Sequence, residues 1–230
     1  MNNVNLSGRL AKDVDVRSVK VGDKDRQVAS ATIVVNNRFS GKSEFYRVDA
    51  WDNNATALSH LKKGDYVVLN GSLRTSDKGD SITVKTVSYT QGGNQYGLAD
   101  AFILGNLTKD AKYVQGKEEN GKKSADGLFF TIANNVSKDV VYYIDIQVFG
   151  PMATSLSKLL VKGKQVLVKG ELNAYVSEYE GNKRNRIRVN SVALQVLSAK
   201  KDEAPADTAA DQPVPEDAPQ IDVDDDDLPF

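Results

Sequence analysis

A chain of 230 residues has room for one large domain or two of ordinary size, each able to bury a core without disulfide or metal staples. It has no Cys and a single His, His60, which excludes thiolate zinc modules, disulfide scaffolds, Cys nucleophiles and any site built on two imidazoles. The formal net charge of -1 hides two opposite fields: residues 199–230 hold two Lys against eleven Asp plus Glu, leaving 28 basic and 20 acidic residues in 1–198, the pattern of a polyanion-binding body with an interaction tail.

The opening MNNVNLSGRL has neither a basic nor an apolar targeting region, and no run of 18 apolar residues follows, so a cytoplasmic protein with no membrane contact is expected. Period-two alternation in β-branched and aromatic residues predicts strands at Val4–Arg9, Asp15–Val21, Val28–Asn36, Glu44–Trp51, Tyr66–Arg74 and Ile82–Tyr89. Asn53 or Asn54 is placed to cap a short helix with Leu58 and Leu61 on one face and Gly64 as its stop. The stretch QGGNQYG, Gln91–Gly97, reads as a linker. The chain then repeats itself at a spacing of 97 to 99 residues: GRLAKD from Gly8 matches GNLTKD from Gly105, Thr32-Ile33 matches Thr131-Ile132, and LKKGDYVVLNGSL from Leu61 matches LVKGKQVLVKGEL from Leu160. In the second copy Pro151 opens the helix, Leu156, Leu159 and Leu160 are expected to pack, and Gly163 ends it. The last 32 residues hold five of the six prolines among Ala and Asp, a composition that cannot offset chain entropy, so 199–230 is expected to be disordered.

The expected fold is all-β: two tandem OB-fold domains, each a five-stranded Greek-key barrel with one short helix, at 1–90 and 98–198, joined by 91–97 and followed by the acidic tail. Within a copy the Asp15–Asn36 segment is expected to form a bent strand 1 and strand 2.

The third barrel strand carries the strongest functional signal. Alternation through Glu44–Trp51 turns Tyr46, Val48 and Ala50 inward and Phe45, Arg47, Asp49 and Trp51 outward; the second copy turns Tyr142, Ile144, Ile146 and Val148 inward and Tyr143, Asp145, Gln147 and Phe149 outward. Two rings six residues apart among charged neighbours, in both copies, suit stacking platforms for unpaired bases. Beside them lie Arg38, Phe39 and Lys42 in NNRFSGKS, Arg74 at the end of its strand, and Arg184, Arg186 and Arg188 on one face of KRNRIRV opposite Ile187 and Val189, cations at strand spacing that suit a phosphate backbone. His60 sits beside Lys62 and Lys63 as a surface residue, the Asp run lacks the glycine turn and terminal Glu of a calcium loop, and Gly92, Gly93 and Gly97 miss the phosphate-loop spacing, so no metal, cofactor or catalytic residue is assigned.

VNLSGRLAKD, SEFYRVDAW leading into a helix, LKKGDYVVLNGSLRT and the C-terminal DDDDLPF resemble motifs of the bacterial-type single-stranded DNA-binding proteins, including their phage versions, and the match covers nearly the whole chain. The resemblance implies OB folds that wrap single-stranded DNA, and a tip that recruits replication, recombination and repair proteins through Asp224, Asp225, Asp226, Asp227, Leu228, Pro229 and Phe230. It aligns the family's binding aromatics with Phe39, Phe45, Trp51, Tyr143 and Phe149; an aromatic of the following hairpin has no equivalent in RTSDKGDS, while Tyr175 and Tyr179 are nearby in copy two. Two domains in one chain resemble the tandem variant that reaches four domains as a homodimer. Asp145 stands where copy one has Arg47, and 136–140 lacks a ring matching Phe39, so unequal binding by the two copies is expected. An OB-type RNA or tRNA binder, an architectural adaptor and a metal-dependent nuclease on an OB barrel are the competing classes; against the last, Asp49 has no second carboxylate beside it in its strand, and copy two has Gln147 at the position of Asp49.

Overall fold

The computed structural model describes residues 1–37, 41–90, 96–119, 122–179 and 181–197; Arg38, Phe39, the greater part of the linker and the whole 199–230 tail with its tip lie outside the described residues. The first copy supplies β1 (Asn2–Leu10), β2 (Asp15–Val21), β3 (Lys24–Asn36), β4 (Ser43–Trp51), α1 (Asn53–Ser59), β5 (Tyr66–Arg74) and β6 (Ser81–Thr90). The second supplies β7 (Leu98–Leu107), β8 (Lys112–Val114), β9 (Glu118–Glu119), β10 (Lys122–Lys123), β11 (Gly127–Asn135), β12 (Val141–Phe149), α2 (Pro151–Leu156), β13 (Gln165–Tyr179) and β14 (Asn182–Val196).

Each copy closes into a five-stranded barrel. In the first the order is β3-β4-β6-β5-β1, with β1 returning to β3 through Arg9↔Val34 and Leu10↔Ile33. In the second it is β11-β12-β14-β13-β7, closed by Leu107↔Ile132 and Asn106↔Ala133. Alternation drives the closure, because it lines both interiors with apolar side chains: Val4, Leu6, Ile33, Tyr46 and Val48 in one, Ile103, Ile132, Ile144, Ile146 and Val189 in the other. Each such side chain contributes roughly 1.5–3 kcal/mol on full burial.

Three local expectations are corrected. The bend falls before Asp15: β1 ends at Leu10, and β2 pairs with β3 as a hairpin turning at Gly22 (φ 61°). The N-cap of α1 is Asp52, with no side-chain cap hydrogen bond, while the Asn54 amide donates to Lys85 O at 3.0 Å. Leu160 is buried and Leu156 half-buried, but Leu159 is exposed because α2 stops at Leu156 and the turn after it swings that side chain outward.

The barrels share one twelve-stranded sheet, since β1 pairs antiparallel with β7 from Asn2↔Ile103 to Ser7↔Leu98. The 97-residue offset that relates Gly8 to Gly105 also relates Val4 to Ala101, and these two pair with each other. A local two-fold axis therefore passes between them. Side chains reinforce the seam: Glu44 accepts from Asn173 Nδ2 (2.7 Å) and Ala174 N (3.2 Å), and the Tyr46 hydroxyl shares its one proton between the Glu44 carboxylate and Leu172 O, which lies at 2.9 Å. Burial, then the Glu44 carboxylate, pushes that hydroxyl well above the ordinary phenol range, so it remains a donor. Asn2 Nδ2 donates to Leu73 O (2.8 Å) and to Asn134 Oδ1 (3.1 Å).

Candidate nucleic-acid interface

The outward face of β4 and β12 is where the sequence placed its aromatic platforms, and the rings stand there in the open. Phe45 is 54% exposed, Tyr143 60% and Phe149 48%, while Tyr46, Val48, Ile144, Ile146 and Val148 between them are buried. Trp51 is half-buried. It pairs with Val28 on β3, and the Arg26 guanidinium lies over its ring with the central carbon 5.1 Å from the centroid. Arg26 is held there by Asp52, donating from Nη2 at 2.6 Å and Nε at 3.1 Å to the same carboxylate oxygen. Those hydrogen bonds lower the Asp52 carboxyl and raise Arg26, so the pair is charged at neutral pH. Asp52 has φ 52°, the only described non-glycine residue with positive φ, and the equivalent corner of copy two is Gly150 with φ 72°.

Next to Phe45, Arg47 is exposed and lies 3.5 Å from Asp49, which is itself buried and accepts from Ser30 Oγ at 2.7 Å. That carboxylate is satisfied within its own face, and among the described residues no His, Cys, Asp and Glu cluster is disposed to hold a metal ion. Lys42 and Arg74 are exposed, Lys42 on the approach to β4 and Arg74 at the end of β5.

The stripe expected of Arg184, Arg186 and Arg188 is divided by the structure. All three project from the side of β14 opposite buried Ile187 and Val189, but each has a different surrounding. Arg188 donates to Asn173 Oδ1 at 2.8 Å and covers the Tyr175 ring at 4.7 Å. Burial and the Asp145 carboxylate push the Tyr175 hydroxyl above the ordinary phenol range, and it points at Asp145 from 3.4 Å. Arg186 ion-pairs with Asp80 of barrel one at 3.1 Å and donates to Ser76 O at 3.2 Å. Asp80 is buried, which pushes its carboxyl up, against the opposing pull of the Ile187 amide at 2.8 Å and of Arg186. Arg184 faces a cleft between the barrels with Lys183. Tyr179 ends β13, and its side chain lies outside the description; Arg38 and Phe39 lie outside it altogether.

The sequence reading missed five side chains on this surface. Lys12 and Arg17 line a groove of about 250 Å³ beside Phe45 and Arg47, and Lys78 and Lys183 line the inter-barrel cleft of about 320 Å³ with Arg74 and Arg184. Phe129, outward on β11 next to buried Leu128 and Phe130, meets Phe149 edge to face with centroids 5.9 Å apart. Alternation alone predicts its orientation; its counterpart in copy one is Ser30, so the repeat gave no hint of a third ring.

Similarity to known proteins agrees with this geometry. The Single-strand binding protein family matches residues 1–91 and again 98–197. A single-stranded DNA-binding protein of Deinococcus radiodurans is 27% identical over 235 residues, covering 86% of this chain and 76% of the relative. One from Treponema pallidum is 32% identical over 108 residues, 42% of this chain and 56% of the relative. The crystal structure of the wild-type single-stranded DNA binding protein from Thermus aquaticus has the same fold, with a TM-score of 0.68 at 19% identity over 89% of this chain and 97% of that one. With both barrels matched, the chain belongs to the Single-strand binding protein family.

Proposed function

We propose that this protein binds single-stranded DNA without sequence preference, by stacking bases on Phe45, Trp51, Tyr143 and Phe149 while neighbouring cations neutralise phosphates, and that it does no chemistry on the strand. The observation that carries the reading is the exposure of Phe45, Tyr143 and Phe149 on a face where burial would otherwise claim them. Stacking is worth about 1–3 kcal/mol per base and accepts any base, which fits a binder rather than a reader of sequence. At roughly 4–16 nucleotides per OB fold, one chain covers about 8–32 nucleotides. Family membership supports a role in replication, recombination and repair, with the acidic tip from Asp224 to Phe230 as the recruiting element, and a cytoplasmic location; no helix of the described residues is long and apolar enough to cross a membrane.

Copy one stacks more strongly in this reading, because Arg47 has become Asp145 in copy two and 136–140 offers no ring. Titrating the chain with oligo-dT while following the fluorescence of Trp51, the single tryptophan, tests both parts. Phe45→Ala is expected to weaken binding about tenfold and Tyr143→Ala less, since roughly 1.4 kcal/mol lies within the range for one stacked base. Equal losses remove the inequality; absence of any affinity, or a preference for RNA or duplex over oligo-dT in competition, removes the function.

The reading includes a homodimer. The outward face of β5 and β7 presents Val68, Leu98 and Phe102 exposed, apolar groups that a second copy related by a two-fold axis would cover. Light scattering is expected to give twice the chain mass, and Val68→Asp with Phe102→Asp to halve it; a monomeric mass for the unaltered chain contradicts the assembly.

A further inference from the structure

The loop between β5 and β6 of barrel one is inserted against the β13–β14 hairpin of barrel two, and the contact is made by backbone as well as side chains. Asp80 N donates to Asn185 O (2.9 Å), Ile187 N donates to the Asp80 carboxylate (2.8 Å), and Tyr143 N donates to Thr75 Oγ1 (3.1 Å). Gly79, at φ 120°, lies so close that a Cβ there would sit 3.2 Å from Asn185 O. The hairpin reaches this far because β13 and β14 run fifteen residues each, against nine and ten for β5 and β6.

Beside this contact lies the cleft lined by Arg47, Arg74, Lys78, Lys183 and Arg184. Its two carboxylates are engaged within the protein, Asp49 by Arg47 and Ser30 and Asp80 by Arg186 and Ile187. None of Arg74, Lys78, Lys183 and Arg184 is ion-paired to a described residue. Like charges gathered in a concave site repel one another and raise the local potential, an arrangement relieved by an anion. The cleft continues, past Arg47 and Asn185, into the groove holding Lys12, Arg17 and Phe45. Its lining residues Arg74 and Ser76 flank Thr75, which accepts from the backbone N of Tyr143, so the path that holds Phe45 at one end leads through the cleft to the segment that contacts the platform strand of barrel two.

We infer that this inter-barrel cleft is a phosphodiester-binding site at which a single strand passes from one barrel to the other, and that Arg186 is a positioning residue that holds its walls together through Asp80. The inference rests on the single-stranded DNA reading above and deepens it. Lys183 and Arg184 neutralise phosphates at the crossing, and Arg186 touches none.

The test is fluorescence anisotropy of the full chain with labelled oligo-dT of about 10 nucleotides, within the reach of one barrel, and of about 30, which spans both. Lys183→Ala with Arg184→Ala, on exposed and half-exposed side chains, is expected to weaken the long oligomer several-fold more than the short one. The slope of log K against log salt should become shallower by about 1.4, two phosphates at about 0.7 each. Arg186→Ala is expected to weaken the long oligomer selectively with its slope unchanged, and Arg186→Lys to restore part of the loss. Equal losses at both lengths, or none, overturn the crossing. A slope reduced by about 0.7 in Arg186→Ala makes it a phosphate contact and overturns its positioning role. Failure of the unaltered chain to bind either oligomer overturns instead the function on which the inference rests.

Discussion

The two barrels have the same backbone plan but differ in the charges placed beside their outward rings. At matched positions on the outward strand and the corner after it, Phe45, Arg47, Asp49, Trp51 and Asp52 of the first face Tyr143, Asp145, Gln147, Phe149 and Gly150 of the second. The rings are kept and the charges are not. Barrel one carries its cation on the platform strand, whereas in barrel two that place is a carboxylate accepting from Thr131 Oγ1 at 2.7 Å and approached by the Tyr175 hydroxyl. The cations of barrel two that reach barrel one, Lys183 and Arg184, sit instead on its long hairpin, which extends across to the face of barrel one. Cations of both domains thus meet at the seam, Arg47, Arg74 and Lys78 from the first and Lys183 and Arg184 from the second. The β1–β7 ladder is what allows this, because it fixes the orientation in which one barrel's loop meets the other's hairpin.

The barrels also differ in how tightly they close, and this comparison has the largest expected effect. Closure brings the start of each glycine-led motif against the neighbouring strand. A Cβ on Gly8 would lie 2.4 Å from Val34 O and 2.8 Å from Ile33 Cγ2, and backbone carbonyls in a ladder cannot withdraw. On Gly105 it would lie 2.9 Å from Ala133 O and 3.0 Å from Ile132 Cβ, a milder conflict. Gly8→Ala is expected to cost about 3 kcal/mol and Gly105→Ala about 1 kcal/mol, within the usual range for overpacking. Urea denaturation monitored by circular dichroism measures both, and equal midpoints would show the two closures to be equally tight.

The fold was legible because its code is local. Period-two alternation fixes which side of β4 faces the core from nine residues alone, and the duplication gave a second, independent copy of the pattern around Tyr143 and Phe149. What could not be read depends on distant segments meeting. Arg186 looked like its neighbours in KRNRIRV, and only the approach of Asp80, 106 residues away in sequence, converts it from a surface cation into a strut. The same holds for Glu44 on the amide of Ala174 and for Lys12, Lys78 and Lys183, which have no sequence spacing in common yet line adjoining clefts. The positive φ of Asp52 was hidden for another reason. Positive φ is uncommon for any non-glycine residue, Asp included, so nothing in Asp52 itself marks the corner, and the one sequence cue was the glycine at the matching position of copy two.

That corner gives the smallest expected effect and a clean optical readout. Arg26 covers Trp51 because Asp52 holds it there, and in copy two Gly150 offers no such carboxylate to place a cation over Phe149. Both partners are well exposed, so the pair adds little to stability, but it sets the surroundings of the single tryptophan. The folded-state carboxyl of Asp52 is depressed below its unfolded value. Its interaction with Arg26 is therefore fully present above the ordinary carboxylate range and is lost only as pH falls through the lowered folded value. Trp51 emission is expected to be flat from neutral pH through the normal carboxylate range and to change below it, as protonated Asp52 releases Arg26 from the ring. In Asp52→Gly, whose backbone accepts the same φ without strain, that acid transition should vanish, and emission at neutral pH should match the acid limb of the parent. An unchanged transition in Asp52→Gly would mean that a different group controls the ring, and that the charge pair of copy one has no more influence on its platform than the bare glycine has in copy two.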